Sequence, residues 1–468
     1  MLRPEAETNE AARDIRAALA SLKGPGRPGL FHVKTGFSPD EACADFAAHH
    51  AGLPARPRPG AEPAVLYKQR SGPDLLLGLY GCEERLKSWL PGIAGRPMPE
   101  VVRALAPCAP INGTTDHIEA ALDLTALPFP KITPRDAGPY VTMGFVMTGC
   151  SGAGLALSAH RMLVLDKRRL GISMLTSRAL RHRALEAHAK GHDLPISVNI
   201  GVPPAVAVAS ATATAHLPPA FDKLSLAGAL AGAPVQLAEQ TAPYLPQSDF
   251  VLHGRLTAQT VPETLGDRPK GVTLPEFLGY DGHAGPDLMV IEIDEITHRP
   301  GGVLQSCLGP GKEQSSILSL GGALALALSL QAEGGLSQIA DIRFAAAGGG
   351  MLLLYVALKS GAAEQLDLAQ LSRRLTGVMP FTKTIVFVDD DVDLSSDEDV
   401  LWAMTTRCNL ARDTHAIEDL PPLRMDPSQG VCWQEAGGSA PCRSWVNATV
   451  PSGLKEQTWR SFPETPEG

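Results

Sequence analysis

The sequence predicts an α/β protein of more than one domain, on three observations. At 468 residues the chain is too long for one ordinary domain. A proline-studded connector, LPFPKITPRDAGPY (127–140), is followed by a strand-rich stretch with YVTMGFVMT (140–148), RMLVLD (161–166) and PISVNIG (195–201). Beyond residue 317, apolar helical segments alternate with continuous apolar strands, the pattern of a sheet covered by helices.

The elements follow in order. In NEAARDIRAALASLKG (9–24), Ile15, Ala18, Leu19 and Leu22 share one helical face, with Asn9 placed to cap the start and Gly24 to close the end. KGPGRPG (23–29) and GLPARPRPGAEP (52–63) punctuate a first hundred residues of short elements and loops. The helical SRALRHRALEAHAKG (177–191) separates two of the central strands. DLMVIEIDEI (287–296) alternates with Met289, Ile291 and Ile293 on one face, as a half-buried strand does. ILSLGGALALALSL (317–330) is shorter than the ~20 residues that cross a bilayer and contains glycine and serine, so it reads as a buried helix. MLLLYVALK (351–359), a helix at 365–378 and the strand KTIVFVD (383–389) complete the third section, and the tail from 420 is irregular.

Composition excludes several function classes. Apolar residues make up 44% of the chain, enough for substantial cores, while a net charge of −9 argues against a nucleic-acid or anionic-membrane surface. The eight cysteines form no CxxC pair, which fits reduced thiols better than a zinc site or a disulfide framework. MLRPEAETNEAARD lacks the basic start and apolar stretch of a signal peptide, so a soluble cytoplasmic protein is expected.

Generic motifs mostly fail. GPGKEQSS (309–316) resembles a phosphate loop, but Glu313 stands where Ser or Thr should follow the lysine. GCSGAG (149–154) has Ala153 at the last glycine of a hydrolase elbow, which disfavours Ser151 as a nucleophile. His188 and His192 have metal-ligand spacing, yet Arg and Lys crowd them. The run Asp389–Asp391 follows a strand and precedes Ser395, Ser396 and Asp397, which look like a helix cap; a structural role is the favoured reading over a metal site.

VDDDVDLSSDEDVLWAMTTRCNLARDT (388–414) closely resembles the C-terminal signature of the UbiD family of decarboxylases. LPFPKITPRDAGPYVTMG, GVPPAVAVAS (201–210), LAGALAGAPVQLAE (226–239), SDFVLHGRL (248–256) and EFLGYDG (276–282) follow in that family's order, so the resemblance spans roughly 120–415 in ordered blocks. It implies three parts: an N-terminal α/β region (1–118), a central split β-barrel that binds flavin (119–310) and a C-terminal α/β domain (311–468) that builds subunit contacts. It also implies non-oxidative decarboxylation of an α,β-unsaturated or aromatic carboxylic acid by prenylated FMN, supplied by a flavin prenyltransferase, in a homodimer or higher homo-oligomer. A shortened front suggests a specialised substrate, in the manner of secondary metabolism. In such enzymes the cofactor carries the hard chemistry, and the protein supplies orientation, a cation and a proton.

Residue by residue, the family's cofactor strand has an arginine five positions before an Asp-Lys pair, which SAHRMLVLDK matches with Arg161, Asp166 and Lys167. A guanidinium suits a carboxylate or a flavin edge because it keeps its charge. Ser158, Ala159 and His160 are then expected along the cofactor, and ASATAT (209–214) near its phosphate and ribityl chain, with Ser210 and Thr212 flanking Ala211 as hydroxyl donors. GVTLPEFLGYDG aligns Glu276 with the family's proton-donating glutamate, between apolar neighbours that would raise its pKa. Gly271 falls where that loop's first glutamate should be, so the arginine's usual acidic partner must come from elsewhere or be absent. The family's divalent metal, usually manganese with potassium nearby, is held by Asn, His and Glu. Those positions fall here on Ala156, Arg178 and Lys223, which are poor ligands for a hard metal but can pair a phosphate directly, unless Ser177 or Asp222 is the true ligand. These departures also support a competing reading, a flavin-binding relative without turnover.

Overall fold

The computed structural model describes residues 13–23, 30–52, 61–149, 154–175, 178–213, 215, 217–264, 272–274, 280, 282–309, 311–421, 423, 426, 428, 443–458 and 460. The chain divides into two compact units, one of residues 1–96 with 104–322 and the other of 97–103 with 323–468.

The larger unit is built on a closed antiparallel barrel. Its six strands run in the order Phe250–Val261, Leu194–Ile200, Tyr140–Thr148, Ala156–Val164, Arg169–Ile172 and Leu288–His298, and the last pairs back onto the first. Closure removes every free strand edge from the ring. Val146, Val198, Leu252 and Ile291, all fully or almost fully buried, belong to one apolar core with the strands' other inward residues. Burial of each stabilises the fold by about 1.5–3 kcal/mol. The ring needs a tight spot between its two longest strands: a Cβ on Gly254 would lie 2.1 Å from the Glu292 carbonyl oxygen, beside a register shift after His253.

Helices position the segments that matter later. Ala179–Ala189 and Pro204–Ala211 both pack on the strand Ala156–Val164, and Lys223–Ala231 packs on Pro204–Ala211. Gly321, within the helix Lys312–Ala332, lets that helix approach the end of Pro204–Ala211: a Cβ there would lie 2.7 Å from the Ala211 Cβ. Lys312–Ala332 is long and apolar enough to cross a membrane by composition alone, but most of it is buried within the protein, as in a core helix. The first helix runs Ile15–Ser21, shorter than expected, because Asp14 caps it by accepting from the Ala17 N–H at 2.8 Å; Asn9 lies outside the described residues.

A four-stranded sheet in the same unit orders Phe31–Thr35, Ala64–Lys68, Asp74–Leu77 and Val303–Gln305. Beside it lie two buried acids. Glu313 accepts from the Gly78 and Tyr80 N–H groups at 2.9 and 3.0 Å, and Glu62 from Gly52 N–H at 2.8 Å. Burial outweighs these bonds and pushes Glu62 up to about 8 and Glu313 up to about 7.

The smaller unit has a five-stranded sheet in the order Ile339–Phe344, Leu353–Leu358, Thr384–Asp389, Ser444–Asn447 and Thr414–Ala416, parallel in the middle and antiparallel at both edges. Helix Asp397–Thr406 lays Val400 and Ala403 into one apolar cluster with Val386 and Val388. Ser396 caps it, and Asp397, Glu398 and Asp399 fill its first turn, where negative charge is favoured. The acidic run just before it is a clamp. Asp389 accepts from the Val450 N–H at 2.7 Å, from Lys455 at 3.1 Å and from Arg407 at 3.3 Å, while Asp391 takes both Arg407 nitrogens at 2.7 and 2.6 Å. The carboxylates favoured for a structural role are thus engaged by cations and backbone.

Two outcomes test these assignments. Asp389→Ala should destabilise the smaller unit by about 2 kcal/mol in urea unfolding, since it takes an acceptor from the buried Val450 N–H and from Lys455 while Arg407 keeps Asp391, and EDTA should leave the melting temperature of the parent protein unchanged. Glu62 and Glu313 hold their protons more tightly folded than unfolded, so the stability they favour is complete below the ordinary carboxylate pKa of 4.5 and is lost as pH rises through about 7 to 8. Glu313→Gln should flatten that decline in a series of thermal melts.

Candidate functional site

The strand Ala156–Val164 carries two adjacent functional positions, His160 and Arg161. Arg161 is held by Glu263 in a two-pronged ion pair: Nε reaches Oε1 and Nη2 reaches Oε2, each at 3.1 Å. Glu263 is fully buried and has every side of its carboxylate engaged. Oε1 also accepts from the Tyr140 hydroxyl at 3.2 Å, and Oε2 from the Gly285 N–H at 2.8 Å. Four donors offset the cost of taking this charge out of water, and the paired prongs fix the plane of the guanidinium. Arg161 itself keeps 22% of its side-chain surface open, enough to face a ligand.

Local sequence explains why Glu263 is there. Strand Phe250–Val261 stops at Pro262, which has no N–H to continue a ladder. The next residue turns its backbone to Gly285, whose carbonyl accepts from the Glu263 N–H at 2.9 Å. Gly285 follows the short pair Val272–Thr273 and Gly282–His283. Leu274 is buried with Tyr140, Leu163 and Leu288, so the chain bearing the loop leaves and returns beside the Arg161–Glu263 pair. Glu276 and Gly271, on that loop, lie outside the described residues, as does Ser177. The partner that Gly271 could not supply is Glu263, eight positions earlier by residue number. Sequence reasoning missed both it and Tyr140, although Val-Pro-Glu at a strand end was a visible signal.

His160 anchors a second group. Its Nδ1 lies 3.2 Å from the Ser173 carbonyl and its Nε2 lies 2.9 Å from Ser158 Oγ. A carbonyl can only accept, so the ring proton sits on Nδ1 and Ser158 donates to Nε2. Burial first, then the Arg178 charge, with a smaller push from Lys223, lowers His160 to about 4 against the opposing Ser173 bond. Lys223 is likewise lowered to about 8 by burial and by Arg178, and burial lowers Arg178. Arg178 keeps an exposed surface and Lys223 is partly exposed. Lys223 Nζ donates to the Ser210 carbonyl at 2.6 Å, and neither cation has a carboxylate partner among the described residues.

The structure therefore brings His160, Ser158, Arg178, Lys223 and Ser210 together. It uses the two expected hydroxyls differently: Ser210 Oγ donates to the Ala207 carbonyl at 2.7 Å, and Thr212, 1% exposed, donates to Val208 at 3.3 Å. Both protons serve the end of their own helix, Ala211 included in its last turn, so Ser210 takes part through its carbonyl. Ala159 is exposed on the strand. Asp222 is spoken for as the cap of helix Lys223–Ala231, accepting from Ser225 N–H at 2.6 Å.

Comparison with known proteins places this geometry. Residues 103–313 match the domain described as the UbiD 3-octaprenyl-4-hydroxybenzoate carboxy-lyase Rift-related domain, and 318–438 match that carboxy-lyase's C-terminal domain. A gallate decarboxylase of Lactiplantibacillus plantarum is 28% identical over 342 residues, covering 71% of this chain and 69% of that protein. The apo structure of a 3,4-dihydroxybenzoic acid decarboxylase from Enterobacter cloacae superposes with a TM-score of 0.84 at 25% identity, over 97% of each chain. The UbiD-class enzyme HmfF from Pelotomaculum thermopropionicum, in complex with prFMN, shares the fold at 21% identity, with a TM-score of 0.75 over 96% of this chain and 97% of that one.

A titration checks the electrostatics. The ring resonances of His160 should stay those of a neutral imidazole from pH 8 down to about pH 5, where a solvent-exposed histidine is already protonated.

Proposed function

This chain belongs to the UbiD family of carboxy-lyases and is a decarboxylase, and on that premise we propose that it removes CO2 without oxidation from an aromatic or other α,β-unsaturated carboxylic acid by means of prenylated FMN. The observation that carries this reading is Arg161, a guanidinium with a minor part of its surface open, locked in plane by a fully buried Glu263 on a barrel wall. Prenylated FMN supplies, when bound, the electron sink that stabilises the carbon from which CO2 departs. Arg161 holds the acid's carboxylate or the flavin edge in register, without losing its charge to any nearby base. Glu263 and Tyr140 position Arg161, and Gly285 ties that assembly to the loop that bears Glu276, the proposed proton donor. The apolar cluster of Tyr140, Leu163, Leu274 and Leu288 keeps water from this side of the site.

The donor set fits a flavin mononucleotide. Arg178 and Lys223 offer positive charge with no carboxylate ion pair among the described residues, as a phosphate ester requires, and their charge helps to keep His160 neutral. The relatives named for gallate and 3,4-dihydroxybenzoate favour a phenolic aromatic acid within the wider substrate class, and a role in natural-product metabolism remains part of the proposal. We infer a cytoplasmic homo-oligomer that receives its cofactor from a flavin prenyltransferase. The alternative of a relative without turnover draws its support from the arginine's lost loop acid at Gly271 and from the missing metal ligands, and Glu263 answers the first of these.

The test is CO2 release from gallate, 3,4-dihydroxybenzoate and cinnamic-type acids by protein co-expressed with a flavin prenyltransferase. Glu263→Ala and Arg161→Ala should each lower kcat by roughly 10²-fold or more while flavin content stays at the parent level. Retained flavin with no turnover by the parent protein on any acid would favour the binding-protein reading.

A further inference from the structure

We propose that Arg178 and Lys223 form a fixed two-cation seat for the cofactor's phosphate, so that this enzyme holds its flavin mononucleotide without a divalent metal. The inference rests on the flavin-dependent reading above and concerns how that one group is held.

The first argument is charge balance. Several shielded cations of this chain have carboxylate partners: Arg161 has Glu263, Arg299 has Asp14, Arg407 has Asp389 and Asp391, and Lys383 has Asp426, while Arg85 is held by three backbone carbonyls. Arg178 and Lys223 have none among the described residues, and each feels the other's charge. Two like charges that both act on His160 raise the free energy of the protein without a bound anion, and a phosphate dianion of matching charge removes that cost.

The second argument is where the cations sit. Arg178 is the N-cap of the eleven-residue helix Ala179–Ala189, and Lys223 is the first residue of the nine-residue helix Lys223–Ala231. The positive end of the helix dipole is unfavourable for a cation and favourable for an anion. Placing both cations there is a liability in a protein that binds nothing, and an asset in one that binds a phosphate ester. Lys223 is also held ready: its bond to the Ser210 carbonyl uses one of three ammonium donors and leaves two.

The third argument is that a hard metal does not fit. No group of three His, Cys, Asp or Glu side chains suited to a metal occurs among the described residues. Asp222 is committed to capping, and both nitrogens of His160 are engaged by Ser173 and Ser158. Manganese and magnesium favour oxygen donors that carry charge, and Arg178 and Lys223 carry the opposite sign.

The experiment compares FMN with riboflavin, which lacks only the phosphate, on the full-length apo-protein in EDTA and in manganese chloride. FMN should bind at least about 10-fold more tightly than riboflavin in EDTA, and manganese should change that ratio by less than about 2-fold. Arg178→Ala and Lys223→Ala should each erase much of the FMN advantage and leave riboflavin affinity unchanged, which also shows that the variants fold. Elemental analysis of protein purified with its cofactor should find manganese far below one per chain. Stoichiometric manganese, or FMN binding that EDTA abolishes, overturns the two-cation seat and leaves the decarboxylase reading standing. Failure of the parent protein to bind either flavin overturns both.

Discussion

The pairing of Arg161 with Glu263 is the constraint on which the site depends. A carboxylate with no exposed surface must be matched donor for donor, and here a guanidinium, a phenol and a backbone N–H do so. Each donor comes from a different stretch of chain, on the strands beginning at Tyr140 and Ala156 and the segment just before Leu288. The barrel must therefore close before the ion pair can form, and once formed it leaves the guanidinium little freedom. Orientation of the Arg161 guanidinium is thus a property of the whole ring, which is how a rigid scaffold fixes a side chain to within a fraction of an ångström.

The neighbouring residue works by the opposite rule. Where Arg161 is balanced by Glu263, the surroundings of His160 carry a surplus of positive charge from Arg178 and Lys223. Adjacent positions of a single strand thus sit in two opposite electrostatic settings, and the strand keeps them in register with each other.

Much of this was legible in the sequence. Every strand of the barrel except the short Arg169–Ile172 lay within or across a quoted apolar run or family block, because alternation of burial along a strand leaves a direct trace in residue type. Helix ends were less legible: Asp14 caps the helix Ile15–Ser21, and with two Asx residues ahead of the apolar face, Asn9 and Asp14, residue type alone could not single it out. Arg161 sits inside SAHRMLVLDK and Arg178 inside the helical run 177–191, whereas Lys223 falls between the quoted blocks and is placed only by spacing from them. Glu263 could not be named, because a fixed spacing back from Gly279 and Tyr280 assumes a loop of fixed length, and loop length is the least constrained quantity between two strands. The hydroxyls of Ser210 and Thr212 illustrate another limit. Residue type advertises a donor, but whether its proton is already spent on the preceding helical turn is a matter of three dimensions.

The four-stranded sheet has a consequence for how the polypeptide is made. Three of its strands lie within the first eighty residues, but the fourth, Val303–Gln305, lies beyond the entire barrel and pairs in parallel with Asp74–Leu77. As the nascent chain leaves the ribosome from its amino end, that sheet must wait with an open edge until more than two hundred further residues have emerged. Excising the front of the protein as a free-standing fragment would leave the same edge bare. The front and the barrel are accordingly a single unit of synthesis and inheritance, threaded together by three residues.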